Sequence, residues 1–453
     1  MTGFLIAIVV TLGVAYLLYK KYKPQAVLFF AGLLLLAGAV YFGPTPILSG
    51  KQATGSTFVD VFASVKNLLS SRLSGLGLTI MSIGGFVRYM EECGANKALV
   101  RLSAYPLRFI KSPVAVMMIA YLISHVIDIF IPSHAGLGLL LMLTLYPIMV
   151  NAGVNKLTAV SVLVTAKFTD IGPISSNAVL AAHTAGLDPV TYFIHYQLPV
   201  VWPSIIVVGV LHYFIQPWME RREGYVRVVE NVDSKEDEKL PGIYAVLPML
   251  PLVMVIAFSP LFTQSVKMDV VTAMLISTVV AMVFELIRKK DVKIVTDSIM
   301  IFFNGMSKQF TLVVSLIVCA ELFGLGLVKI GAVDTMIKWV QTAGMGLTFM
   351  VIVLSIIMAV SAFIMGSGNA AFFAFASLAP KIAGVFGAKP VIILLAMELT
   401  AGYGRCMSPI TAAIVAMAAI AEVSSFDVAR RVGIPVFVGL IVNVIAIYVV
   451  HLM

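Results

Sequence analysis

The chain has 453 residues, of which 60% are hydrophobic and only 12% charged, with a mean hydropathy of +1.03. A soluble globular protein carries about twice that share of charge, so the composition excludes a soluble enzyme and points to a polytopic membrane protein. The net charge of +9 is read as basic cytoplasmic loops and not as a nucleic-acid surface, so no nucleic-acid partner is expected.

A first span is expected at Phe4–Tyr19. Lys20, Lys21 and Lys23 follow it where a signal peptide would have a small-residue cleavage site, so it reads as retained. A second span, Ala26–Phe42, leads through a Pro- and Gly-rich loop to an expected surface helix at Phe58–Ser71 and a third span at Leu73–Met90. Ala95–Ser112 sets Lys97, Arg101, Arg108 and Lys111 among leucines, a pattern for a helix lying at the interface. The limbs Val114–Ile131 and Leu137–Val150 flank Pro132-Ser133-His134-Ala135-Gly136, as two spans or one re-entrant hairpin. Leu157–Ala181 is interrupted between Thr169 and Asn177, where Gly172-Pro173 breaks a helix. Leu198–Phe214 closes the first half.

The mixed-charge segment Glu220–Lys239 reads as a linker, dividing the chain into 1–218, 219–241 and 242–453. Spans follow at Ile243–Phe262 and Val270–Ile287, then a surface helix at Asp297–Met306 and a span at Phe310–Leu327. Ala332–Gly344 is expected at the interface with Trp339 as anchor. Thr348–Ile382 is broken at Gly366-Ser367-Gly368-Asn369, Val391–Ile420 between Gly402 and Pro409, and Pro435–Leu452 ends the series. In hydrocarbon such breaks survive only where protein or a water-filled cavity satisfies the freed backbone, and freed helix-end N–H groups favour an anion.

The halves can be laid on each other. Asp60 and Gly94-Ala95 match Asp297 and Gly331-Ala332, Phe130-Ile131 matches Phe363-Ile364 and sets His134 over Ser367, and Gly172 and Ser176 match Gly404 and Ser408. An ordered series of this kind marks an internal repeat. With the N-terminus outside and the hairpins re-entrant, most basic residues, from Lys20 to Arg431, face the cytoplasm. Each half then holds five spans plus a re-entrant hairpin and a broken helix, and the odd number of crossings inverts the second copy. The expected fold is an all-α polytopic membrane protein of two inverted repeats, with the central linker cytoplasmic.

Ser133, His134, Ser175, Ser176, Asn177, Ser367, Gly368, Asn369, Arg405, Ser408 and Thr411 gather at the four breaks. Hydroxyls, amides and helix N-termini can replace the hydration of an anion, or they can simply cap broken helices. Arg405 is either a bidentate partner of a carboxylate or a structural partner of Glu398, seven residues earlier. Lys167 and Asp170 lie three apart and can neutralise each other. His134 can donate to a carboxylate, carry a proton or pack.

Ala135-Gly136-Leu137-Gly138-Leu139-Leu140-Leu141-Met142, Gly366-Ser367-Gly368-Asn369-Ala370 and Gly404-Arg405 followed by Ser408-Pro409 resemble, in this order, the DcuC family of anaerobic C4-dicarboxylate carriers of the ion-transporter superfamily. The resemblance spans nearly the whole chain. It implies secondary transport of succinate, fumarate and similar dianions, by exchange, across a bacterial inner membrane. It also implies two hairpin tips facing two broken helices, a homodimer and elevator-type movement. This chain departs from the family at its first tip, Pro132-Ser133-His134-Ala135, and at Lys167 and Asp170. The Ser-Asn-Thr signatures of sodium-coupled relatives are partly echoed at Ser175-Ser176-Asn177 and Ser367-Gly368-Asn369, so Na+ and H+ both stand as coupling ions; no cofactor is expected.

Three alternatives remain at this point. One is a carrier of another small organic anion. The second is a cation–proton antiporter using Asp128, Asp170 and Glu398. The third is an intramembrane metalloenzyme built on His125, Asp128 and His134 or a Ser nucleophile, disfavoured because no HExxH or GxSxG occurs. A GxxxxGK[S/T] loop, which an ATP-driven pump would need, is likewise missing from the sequence.

Overall fold

A computed structural model describes residues 2–110, 112–224, 241–259, 266, 268–342 and 346–452. Every regular element among them is helical, and eight of the helices or helical runs are long and apolar enough to cross a membrane. Helices close their backbone bonds within one segment, which is what lipid demands.

The first half runs α1 (Thr2–Tyr19), α2 (Pro24–Phe42), α3 (Thr57–Arg72), α4 (Leu78–Glu92), α5 (Ala95–Ala104), α6 (Pro113–Asp128), α7 (His134–Asn151), α8 (Lys156–Val164), α9 (Ser176–Ala185), α10 (Pro189–Tyr192) and α11 (Leu198–Arg222). The second half runs α12 (Leu250–Ala257), α13 (Val270–Lys289), α14 (Val292–Asp297), α15 (Ile299–Gln309), α16 (Ser315–Lys329), α17 (Ala332–Thr342), α18 (Leu347–Met365), α19 (Gly368–Ala376), α20 (Ala379–Val385), α21 (Pro390–Met407), α22 (Ala412–Ile420) and α23 (Ser425–His451). The expected linker lies outside the described residues from 225 onward, as do Lys111, Phe262 and the side chains of Arg108 and Trp339.

Local landmarks recur between the halves. A π-helical turn joins α3 to α4 at Leu73–Gly77 and α15 to α16 at Phe310–Val314. Left-handed glycines, Gly94 at φ 78° and Gly331 at φ 82°, precede α5 and α17. Ser133 caps α7 and Ser367 caps α19, each accepting from the N–H three residues on, at 3.1 and 3.2 Å. This sets Ser133 over Ser367, one position away from the register expected from Phe130-Ile131, because one residue fewer separates Ile131 from its cap.

The expected surface helices at Phe58–Ser71 and Asp297–Met306 are not separate elements. The first runs through the π turn into α4, and the second lies in a helical run from Val292 to Lys329. Two polar residues of the first run are engaged by the fold. Arg72 Nε donates to Glu321 Oε2 at 2.6 Å, and Asp60 accepts from the Thr54 N–H at 2.8 Å.

The packing falls into two groups. In one, α2 packs on α16, α4 on α13 and α15, and α1 on α2; in the other, α21 packs on α18, α19, α9 and α23, with α7, α8 and α22 together and α11 on α23. α5 touches both groups, through α4 and α7, whereas α17 packs on α1 and α16 of the first. At the centre of the second group lies α21, buried continuously from Val391 to Cys406. A helix that carries apolar residues on every face requires such a position. Its glycines admit close neighbours: a Cβ at Gly402 would stand 2.4 Å from the Phe168 carbonyl oxygen, and one at Gly404 2.2 Å from that of Ala359.

Candidate functional site

Four interruptions converge on α21. The Ile129–Ser133 segment separates α6 from α7, and Gly366-Ser367 separates α18 from α19. Thr165–Ser175, opening with a single 3-10 turn, separates α8 from α9, and Ser408–Thr411 separates α21 from α22. Gly366 reverses the chain at φ 62°, the left-handed region where glycine carries no Cβ penalty. The second broken helix holds on longer than expected, running unbroken through Gly402 and Gly404 to Met407.

Four charged side chains from these segments form one buried chain. Asp128, the last residue of α6, accepts from Lys167 Nζ at 2.5 Å. Lys167 also lies 3.2 Å from Asp170 Oδ1, and Asp170 Oδ2 lies 3.6 Å from Arg405 Nη1. None of the four side chains is more than 6% exposed. Charges so placed must be paired. Two cations face two carboxylates, so the group is neutral as a whole.

Polar residues from both halves close around it. Asn177 Nδ2 donates to Asp170 Oδ2 at 2.6 Å and to Asn369 Oδ1 at 3.2 Å. Arg405 Nη1 donates to the same Asn369 oxygen at 3.2 Å, and Nη2 to the Lys167 carbonyl at 2.9 Å. Ser175 Oγ donates to Asp170 Oδ1 at 3.3 Å. Thr411 Oγ1 donates to the Arg405 carbonyl at 2.7 Å, covering one of the last carbonyls of α21.

Glu398 does not pair with Arg405. It accepts from the Tyr192 hydroxyl and from Gln197 Nε2, the latter at 2.9 Å. Gln197 Oε1 in turn accepts the Gly172 N–H at 3.2 Å, so Glu398 braces the loop of the first broken helix. Seven residues put Glu398 two turns from Arg405, too far for a direct contact along one helix.

The other expected site residues divide. Ser133 and Ser367 serve as caps, their hydroxyl protons still free to donate. Gly368 begins α19 where a Cβ would stand 2.8 Å from the Ala401 carbonyl oxygen, which lets α19 lie on α21. Ser176 opens α9, half-buried. His134 lines a cavity of only about 10 Å³ together with Lys167 and Met417, and that volume leaves no room for a four-carbon ligand in this conformation. Cavities of about 400 and 330 Å³ lie elsewhere, the first beside Lys97 and Arg101, the second beside His183 and Asp269. Among the described residues no group of His, Cys, Asp and Glu is arranged to hold a metal ion; His125 Nδ1 instead meets the Tyr121 carbonyl oxygen at 3.0 Å.

Sequence reasoning missed the Asp128–Lys167 pair and the reach of Asp170 to Arg405. The available signal was four titratable residues at the ends of apolar runs, an expensive placement that calls for partners.

A family model described as DcuC, C4-dicarboxylate anaerobic carrier, matches residues 3–452. The chain is 34% identical over 447 residues to a protein of Vibrio cholerae serotype O1 described as a probable anaerobic C4-dicarboxylate transporter DcuC, covering 98% of this chain and 97% of that one. It is 33% identical over 442 residues to the anaerobic C4-dicarboxylate transporter DcuC of Escherichia coli K12, covering 98% and 95%. Its fold is similar to the crystal structure of the YdaH transporter of Alcanivorax borkumensis, described as having an unusual topology, with a TM-score of 0.63, 13% identity and coverage of 94% and 98%. The family and these relatives are transporters and not enzymes, and with eight helices or helical runs of spanning length among the described residues the chain is a multi-pass membrane transporter. The chain belongs to the DcuC family.

Proposed function

We propose that the protein is a secondary carrier of C4-dicarboxylates such as succinate and fumarate in a bacterial inner membrane, working as an exchanger. The observation that carries this reading is the pair of buried cations, Lys167 and Arg405, set among amide and hydroxyl donors where two helix breaks from each half converge. A dianion with two carboxylates matches the charge of two cations that flank one position, here held by Asp170, and guanidinium suits a carboxylate in a bidentate fork. Ser133, His134, Ser175, Ser176, Asn177, Ser367, Gly368, Asn369, Arg405, Ser408 and Thr411, expected from the sequence, are the proposed contacts, and the structure adds Lys167 to them.

Residues 1–218 and 242–453 act as inverted repeats around a cytoplasmic linker, with the N-terminus outside. The recurrence of the π turns, left-handed glycines and serine caps supports the repeat. Alternating access is of elevator type within a homodimer, the group around α21 moving against the group around α2, α4 and α16. The division of packing into those groups supports that motion. A cation–proton antiporter built on Asp128, Asp170 and Glu398 is less favoured, because the first two are engaged by Lys167 and Arg405 and the third by Tyr192 and Gln197.

Counterflow in proteoliposomes tests the function. Vesicles loaded with succinate should take up labelled fumarate faster than empty ones. Folded protein that shows no counterflow across a broad dicarboxylate panel would remove the proposal.

A further inference from the structure

The cations of the site are already occupied. Asp128 sits on Lys167, and Asp170 lies between Lys167 and Arg405. A substrate with two carboxylates needs those same two cations. Adding a dianion on top of the existing pairs would leave a net charge of minus two in a buried site, and uncompensated buried charge is prohibitive.

Other features separate this group from an ordinary structural ion-pair network, in which every polar atom would be spent. Asp128 Oδ2, Arg405 Nε, His134 Nδ1, Asn177 Oδ1 and Ser408 Oγ are all buried without a partner around it. Asp170 is held at φ 50°, a left-handed conformation that an aspartate adopts at a cost. Asp128 ends α6 and Asp170 lies in the loop before α9, so each carboxylate is carried on a segment outside regular helix or at its very end.

We propose that Asp128 and Asp170 stand in for the two carboxylates of the substrate when the site is empty, and that an arriving dianion displaces both from Lys167 and Arg405 as each takes up one proton. This rests on the dicarboxylate reading above. The balance is simple: one dianion and two protons from water enter, two carboxylates become carboxylic acids, and the site is neutral before and after. Both the empty and the loaded carrier can then cross the membrane without net charge. Exchange of one dianion for another moves no protons overall, whereas one-way transport carries two with each dianion.

Other titratable groups lie on the elements around the four. His134 projects from α7, and Glu398 and Cys406 lie on α21 with Arg405. His125 shares α6 with Asp128 and faces Phe168, while His212 of α11 faces Tyr121 and Thr165. His134, whose buried Nδ1 has no partner and which shares a small cavity with Lys167, is the group assigned to pass a proton to the displaced carboxylates.

Calorimetric titration of the purified full-length protein with succinate, in buffers of different ionisation enthalpy, counts the protons directly. The expected result is about two protons taken up per succinate, with affinity falling about 100-fold per pH unit once both aspartates are ionised in the empty site. Asp128→Asn and Asp170→Asn should each remove one proton and reduce that dependence to about tenfold. Succinate binding to the wild type without proton uptake overturns the inference while leaving the dicarboxylate reading intact. So does a slope unchanged in both variants. Absence of binding by succinate and by fumarate overturns the dicarboxylate reading and the inference with it. The wild-type proton count decides even where a variant fails to fold.

Discussion

Arg405 meets three different partners at once: the Asp170 carboxylate, the Asn369 amide oxygen and the Lys167 carbonyl. Two belong to the first broken helix and one to the second hairpin tip, so its side chain joins the halves at their breaks. Arg405→Ala should weaken dianion binding by about 1.5–3 kcal/mol, the usual worth of charged hydrogen bonds, read as a ten- to hundredfold higher Kd for succinate in protein that still elutes as folded. Arg405→Lys should recover little of this, since an ammonium cannot span a carboxylate in a planar fork. Unchanged affinity in both would assign Arg405 to structure alone. The sequence made Lys167 and Asp170 visible as a pair because three residues is a contact distance along the chain. It could not show Asp128 on Lys167 or Arg405 on Asp170. Those contacts depend on how separate breaks approach in space, which no local pattern records.

The breaks themselves were legible because glycine, proline and small polar residues interrupt apolar runs there, and the helices stop within a few residues of Gly366 and Pro409. The π turns at Leu73–Gly77, Phe193–Gln197 and Phe310–Val314 were not, because nothing in their composition sets them apart from a helix. Polar positions on α3 and α15 misled in a different way. Hydropathy treats Arg72 as a surface residue, whereas its half-buried guanidinium is spent on the buried Glu321. The glycines of α21 act through close approach. Gly404 lets α18 lie on α21 at the Ala359 carbonyl, where a Cβ would come within 2.2 Å of backbone that no rotamer change can move aside. Gly404→Ala should therefore force the helices apart and cost about 1–3 kcal/mol. A lower melting temperature of the solubilised protein would show it. Gly384→Ala is the control, because nothing lies within 4 Å of its Cβ position. Equal melting temperatures for the two variants would contradict the packing argument.

At the scale of the whole molecule, transport by an elevator requires the group around α21 to slide against the group around α2, α4 and α16. The two groups meet where α16 passes α19 and where α4 passes α9, so sliding must change those contacts. Gly324 on α16 faces the turn after α19, its Cβ position 2.8 Å from Ser377 Oγ. Because the Ser377 Oγ marks where a cysteine sulfur would stand, cysteines placed at Gly324 and Ser377 are within reach of a disulfide. The native Cys93, Cys319 and Cys406 are free and should first be replaced, so that the engineered pair is the only dithiol. Oxidation should then stop succinate–fumarate counterflow, and reduction should restore it. Binding should survive in the oxidised protein, because the bridge lies away from Lys167 and Arg405. Loss of both binding and counterflow would mean that the bridge distorts the site. Full counterflow with the bridge demonstrably formed would mean that α16 and α19 stay together through the cycle. The moving boundary would then have to lie within the α21 group itself, with the hairpin tips opening in place.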